Sequence, residues 1–185
     1  TPLSSSAASD VYKRQGWPNI AIRGEKSYNG VAILSRLPLT DISHLNWTGR
    51  TDCRHISAVV KGLTLHNFYI PAGGDEPDID KNPKFSHKLN FIAEMTKHFS
   101  QQQPSSSILV GDLNIAPLAE DVWSTRQLRN TVSHTAIERE NLLALVEQGG
   151  WTDSVRAHFG PKEVLFSWWS YPVSYTHLRA HETLL

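Results

Sequence analysis

The sequence predicts an α/β fold, and three observations carry that prediction. Short apolar runs of strand length recur along the chain, two of them form a hairpin, and two helices with explicit start signals are interleaved with the strands. Gly30 to Ser35, GVAILS, follows the turn-prone Tyr28-Asn29 and suits a strand buried on both faces. His55 to Val60 alternates, with Ile56, Ala58 and Val60 on one face, and Lys61-Gly62 turns the chain into Leu63 to Ile70. On that second strand Leu63, Leu65, Asn67 and Tyr69 share a face, because side chains alternate with period two. Pro71 has no N–H to donate and ends the pairing.

Asn82 is a favoured N-cap and Pro83 a favoured first helical residue. After them Phe85, Leu89, Ile92, Met95 or Thr96, and Phe99 recur at three- and four-residue spacing, which predicts a helix with one apolar face. A second helix starts at Thr135, where Glu138 completes a capping box. It turns Leu142, Leu145 and Val146 inward and stops at Gly149-Gly150. Between the helices lies the run SILVGDLN, residues 107–114.

The chain has 185 residues and is 39% hydrophobic, enough for one domain with a sizeable core. Lys plus Arg and Asp plus Glu both number 18, so any contact with a polyanion must be local. Cys53 is the only cysteine, which excludes an internal disulfide and a cysteine-rich metal site. No apolar run approaches the ~18 residues that span a bilayer, and no secretory signal is visible, so a cytoplasmic protein without membrane contact is expected. Residues 1–15 and 172–185 lack periodicity; SSAASDVYKRQ and VSYTHLRAHET resemble translated sequencing-adaptor text, and both segments are set apart as non-native. An ordinary Ser/Thr-rich terminus is the alternative. The domain is then residues 16–171.

Asp112 and Asn114 sit where an apolar strand leaves the core. If the chain stays extended through Asn114, both side chains project from one face ~6.5 Å apart. A carboxylate there can orient water or help hold a hard divalent cation, and an amide can donate to an anionic phosphoryl oxygen. A plain Asp-x-Asn turn accounts for the same two residues. Tyr69 ends its own strand, so its phenol reaches the same rim if the two strands are parallel neighbours; a half-buried tyrosine with its hydroxyl in water is the alternative.

Five stretches occur in order: Tyr28-Asn29-Gly30-Val31-Ala32-Ile33-Leu34-Ser35, Asn67-Phe68-Tyr69-Ile70-Pro71, Leu109-Val110-Gly111-Asp112-Leu113-Asn114-Ile115-Ala116-Pro117, Trp151-Thr152-Asp153-Ser154-Val155-Arg156 and Phe166-Ser167-Trp168-Trp169-Ser170-Tyr171. Together they resemble the exonuclease III family of abasic-site endonucleases, bacterial type, within the endonuclease/exonuclease/phosphatase superfamily. The resemblance implies a four-layer α/β sandwich of two sheets flanked by helices, incomplete in this chain. It also implies hydrolysis of a phosphodiester that depends on Mg2+ (or Mn2+), 5′ to an abasic site or from a 3′ end of duplex DNA, by a monomer. On that analogy Asp112 orients or deprotonates the water, while Asn114 and Tyr69 contact the scissile phosphate. Asp112 and Asn114 would help hold the metal, Arg54 would touch the DNA backbone, and Trp168 would wall the pocket for the flipped-out sugar. Arg54 as a surface charge and Trp168 as core remain open alternatives.

The sequence departs from the family pattern in several places. Ala72 stands where the family often carries Asn. The Gln-Glu strand with the metal-binding glutamate, and the late Arg-Leu-Asp and Ser-Asp-His motifs, are not found; His177 and His181 lie in the adaptor-like text and are not assigned. The 185-residue chain is therefore expected to be inactive and poorly soluble, with sheet edges and apolar faces uncovered. His87, His98, His134 and His158 show no ligand spacing and are expected to be solvated. Asp153 and Arg156 are expected to cap or pair beneath the site. A phosphodiesterase or phosphatase of the same superfamily acting on a lipid or inositol phosphate, and a non-catalytic remnant, are the competing readings.

Overall fold

The computed structural model describes residue 12, residues 15–26 and residues 28–168. Apart from Tyr12 and Gln15, the two terminal segments lie outside the described residues, as do Trp169, Ser170 and Tyr171 of the aromatic motif. Strands β1 (Asn19–Gly24) and β2 (Gly30–Ser35) form an antiparallel hairpin. Strands β3 (Thr40–Ser43), β4 (His55–Val60), β5 (Leu63–Tyr69) and β6 (Ser107–Asp112) form a second sheet in that order. Its first two pairings are antiparallel and the last, β5 with β6, is parallel. The helices are α1 (Pro83–Gln101), the single turn α2 (Thr125–Leu128), α3 (Ala136–Gln148) and α4 (Ser154–Phe159), with a 3-10 turn at Ala119–Asp121.

Two sheets packed together with flanking helices make this an α/β fold, and the side-chain alternation explains the layers. Ile56 and Ala58 of β4 and Leu65 and Tyr69 of β5 pack on Ala21, Val31 and Ile33 of the hairpin. Asn67, on the same face, donates its amide to the Ala32 carbonyl at 2.8 Å and so ties one sheet to the other. The opposite face presents Phe68 to Phe91, Ile92, Met95 and Phe99 of α1, to Leu142 and Leu145 of α3, and to Trp47. Met95, not Thr96, takes the inner position; the Thr96 hydroxyl turns back to the Ile92 carbonyl. Val146, expected inside, is half-buried.

Strand β1 is read poorly from sequence although NIAIRG alternates, because Gly24 and the turn that follows break the run. Strand β3, TDIS, is exposed throughout and is a strand only because Thr40 and Ser43 pair with Val59 and Ser57. Strand β6 is an edge of its sheet among the described residues, and Ile108 and Val110 on its hairpin-side face are 45% and 43% exposed.

Both helix starts form as the sequence predicts. Asn82 Oδ1 accepts from the Lys84 and Phe85 N–H groups, and Thr135 and Glu138 form the reciprocal capping box. Asn82 does more than cap: its Nδ2 donates to the carbonyls of Gly73 and Glu76 at 2.9 and 2.6 Å, closing the loop after β5 onto the helix. Asn82→Ala is expected to cost ~2 kcal/mol in urea unfolding, more than an isolated cap. Asn82→Asp keeps the acceptor, loses both donors, and is expected to recover only part of that loss.

Candidate active site

Parallel pairing of β5 and β6 brings Tyr69 and Asp112 opposite each other at the carboxyl ends of their strands. The ladder extends one step beyond them, where the Ile70 N–H donates to the Asp112 carbonyl at 2.9 Å. Gly111 makes the approach possible. Its φ is +129°, and a Cβ there would lie 1.9 Å from the Phe68 carbonyl oxygen. A phenol and an exposed carboxylate thus share one rim.

The expectation that the chain runs extended through Asn114 is corrected. Strand β6 ends at Asp112, and Asn114 adopts a left-handed φ of +51°. The cause is local: Asp112 Oδ1 accepts the Asn114 N–H at 3.1 Å and folds the backbone into an Asp-x-Asn turn. The two side chains therefore do not project from one pleated face. Asn114 instead reaches across to the loop after β5 and donates Nδ2 to the Ile70 carbonyl at 3.0 Å. The turn and the rim are both real, and Asn114 locks the two strand ends together.

Arg54 is buried, not a loose surface charge. Its Nε donates to Asp52 at 2.6 Å and its Nη1 to the Tyr69 carbonyl at 3.2 Å, while the guanidinium lies 4.8 Å from the Tyr69 ring centroid. Tyr69 is thereby held from its backbone and its ring face. Asp52 is shared with His87, 3.5 Å away, whose other ring nitrogen meets the Thr48 hydroxyl.

The loop after Asn114 is pinned by the start of α3. Ala116 N–H donates to the Ser133 carbonyl, and the Ala116 and Pro117 carbonyls are met by the His134 ring and the Arg139 guanidinium at 2.9 Å each. His134 is wholly buried, so the expectation that it is solvated is corrected. His87 is buried and His98 half-buried with its ring edge-on to Trp47; His158 is exposed. Burial pushes the His134 ring below its usual range, with Ala116's backbone acting against that shift.

Trp168 is half-buried against Ala116, Val122 and Leu128, and its backbone N–H donates to the Asp121 carbonyl. Asp121 is a buried hub: its carboxylate accepts from Arg156 Nη2 at 2.5 Å, from Ser167 Oγ and from the Leu118 N–H. Asp153 caps α4 by accepting from the Arg156 N–H, so the Asp153 and Arg156 pair is structural. The part played by Asp121 has no sequence signal, because a lone acid after Ala-Glu reads as a solvated loop.

Asp112 offers carboxylate oxygen, and the Asn114 amide, fixed through Nδ2, keeps its oxygen as a neutral donor. These fit Mg2+ or Mn2+ as part of a coordination set. Among the described residues no group of three His, Cys, Asp or Glu side chains surrounds an ion.

The fold is an α/β sandwich that sets Tyr69 and Asp112 at the carboxyl ends of two parallel strands, with Asn114 in the turn that follows. The chain belongs to the endonuclease/exonuclease/phosphatase family, whose model matches residues 3–179. Among solved structures it is similar to a 3′-5′ exonuclease, NExo, from Neisseria meningitidis, with 26% identity, a TM-score of 0.80, and 96% of this chain covering 68% of that one. The 3′ phosphatase NExo from Neisseria bound to product DNA hairpin gives 26% identity, a TM-score of 0.78, and coverages of 91% and 65%. An AP endonuclease from Archaeoglobus fulgidus gives 27%, 0.79, 92% and 65%. The chain thus spans about two thirds of these proteins, and they agree with the exonuclease III resemblance. No curated protein sequence matches the chain.

Proposed function

We propose that this chain belongs to a DNA phosphodiesterase that incises at abasic sites or trims 3′ ends. The observation that supports it best is the juxtaposition of Tyr69 and Asp112 across the parallel β5–β6 ladder, with Asn114 bonded across the same rim. The relatives named for exonuclease, 3′ phosphatase and AP endonuclease activities, one of them bound to a DNA hairpin, point to nucleic acid as the polyanion.

Asp112 is exposed, so its carboxylate can accept the proton of a water aimed at phosphorus. Charge then develops on the phosphoryl oxygens, where the Tyr69 hydroxyl and the second Asn114 N–H would serve as donors. A divalent cation held in part by Asp112 and Asn114 would neutralise phosphate charge. Arg54, neutralised by Asp52, fixes the Tyr69 ring; Trp168 is the aromatic surface proposed to face a displaced sugar.

The test pairs duplex DNA bearing one abasic site with a phosphoinositide, each in Mg2+. DNA incision, with none of the phosphoinositide, is expected. Asp112→Asn is expected to lower turnover roughly 10²-fold or more, and Tyr69→Phe roughly tenfold. Unchanged turnover in Asp112→Asn removes the assignment, and hydrolysis of the phosphoinositide alone transfers the site to lipid substrates. Abasic DNA bound but not cut would leave a binding remnant.

A further inference from the structure

Lys88 lies on α1 with its side chain wholly inside the protein, and no sequence signal marks it. Its Nζ is ringed by four oxygens: the carbonyl of Ala72 at 3.2 Å, the carbonyl of Asn114 at 2.7 Å, the hydroxyl of Ser133 at 3.2 Å and Glu138 Oε1 at 2.6 Å. Ala72 stands in the loop that leaves β5 after Tyr69, and Asn114 in the loop that leaves β6 after Asp112. One buried cation therefore bonds to both loops that bear the rim.

The counter-charge is equally constrained. Glu138 is the third residue of α3, and its carboxylate also accepts from the Ser133 N–H, the Thr135 N–H and the Thr135 hydroxyl. Every direction around the carboxylate is filled, so the pair has no freedom to reorient. Gly73 completes the fit: its φ is +94°, and a Cβ would meet the Lys88 stem and Val132 at 2.9 Å. Burial draws the Lys88 ammonium below its usual range, while Glu138 and then Asp112 pull it back up. Asp112 thus lies within the field of this charge.

We infer that Lys88 is a positioning residue of the candidate phosphodiester site, an internal clamp that joins the Tyr69 and Asp112 loops and sets their separation. As a role in DNA recognition this rests on the proposed function; as a mechanical clamp it does not. The geometry favours it over a purely stabilising ion pair. A pair that served stability alone would need only Glu138, whereas two of the four Lys88 contacts are backbone carbonyls of the rim loops. An apolar pair of similar volume often matches or exceeds a buried ion pair in stability.

The experiment is Lys88→Met combined with Glu138→Gln, which removes both charges and keeps a capping acceptor at position 138. Affinity of the 185-residue chain and its variant is read by fluorescence anisotropy with duplex DNA carrying a tetrahydrofuran abasic analogue, and stability is read by urea unfolding. The inference expects a cooperative unfolding transition near that of the parent, a roughly tenfold loss of DNA affinity, and exchange at the Ile70 and Ala116 amides faster by a similar factor. A folded double variant with parental affinity and parental exchange overturns it. If the double variant does not fold, native-state hydrogen exchange of the unsubstituted chain decides. Ile70 and Ala116 opening together with Ile92 of α1 supports the clamp, and independent fraying of those two amides overturns it. If the parent binds no DNA, the proposed substrate fails, and amide exchange alone judges the clamp.

Discussion

Gly111→Ala is expected to destabilise the chain by at least ~3 kcal/mol and to abolish the DNA binding proposed for the rim. The cost has two parts. A φ of +129° lies where residues with a side chain are strained, and the new Cβ would sit 1.9 Å from the Phe68 carbonyl oxygen and 2.7 Å from Asn67 Oδ1. Neither neighbour can withdraw. Phe68 is 1% exposed, locked among Trp47, Phe91 and Phe99, and Asn67 is bonded to Ala32 of the other sheet. Strand β6 must move instead, which breaks the Ile70 to Asp112 bond and shifts Asp112 away from Tyr69. Gly62→Ala is the control: φ is +81° in the hairpin turn, but no atom lies within 4 Å of its Cβ position, so ~1 kcal/mol is expected. Equal urea midpoints for the two variants would falsify the steric account.

Acid is expected to remove up to ~5 kcal/mol of stability through His55 alone. His55 is 1% exposed between β4 and α1, its ring 4.3 Å from that of Phe68. Its Nδ1 accepts the Leu45 N–H at 3.0 Å, so its proton resides on Nε2, which donates to His66 Nδ1 at 3.1 Å. Protonating either ring breaks that chain. Burial first, then the charges of His66, Arg23, His98 and His44, lower the His55 pKa from 6.5 to about 3. Burial lowers His66 as well, and His98 adds to the effect. The folded state therefore binds protons less readily than the unfolded chain. Stability contributed by His55 is fully present above pH ~6.5 and declines as pH falls from there toward ~3. Urea unfolding between pH 7.5 and 4 should show this fall, and NMR should find His55 neutral at pH 5. A flat stability profile down to pH 5, or a His55 that titrates near 6.5, contradicts the assignment.

The helices were legible because their signals are local. Asn82-Pro83 and the Thr135-Glu138 box work through hydrogen bonds three residues long, and the spacing from Phe85 to Phe99 needs only the helical repeat. The hairpin was legible for the same reason: Lys61 and Gly62 both take positive φ and set the β4–β5 register. The order of five short motifs sufficed for the family. Strand β3 was not legible, since its existence depends on a partner and not on its own apolar pattern.

The proximity of Tyr69 to Asp112 at one rim was readable as an expectation, but the geometry of Asn114 was not. Alternation predicts an extended Asp112–Asn114 pair, and one side-chain acceptor, Asp112 Oδ1, overrides it by turning the backbone. The expectation of solvated rings failed in the same way at His87, His98 and His134, while His158 is exposed. Whether an imidazole is solvated depends on what packs over it, and the buried His134 ring is bonded to the Ala116 carbonyl and the Thr125 hydroxyl.

By itself the sequence determined the α/β class, the two helix starts, the hairpin and the residue types at the rim, because each follows from hydrogen bonds and periodicities a few residues long. Only the tertiary structure decided that β5 and β6 run side by side, that Asn114 bridges to Ile70, and that Lys88 joins both loops to Glu138. Those contacts span 16 to 50 residues and exist only after burial has excluded the water that would otherwise satisfy each group.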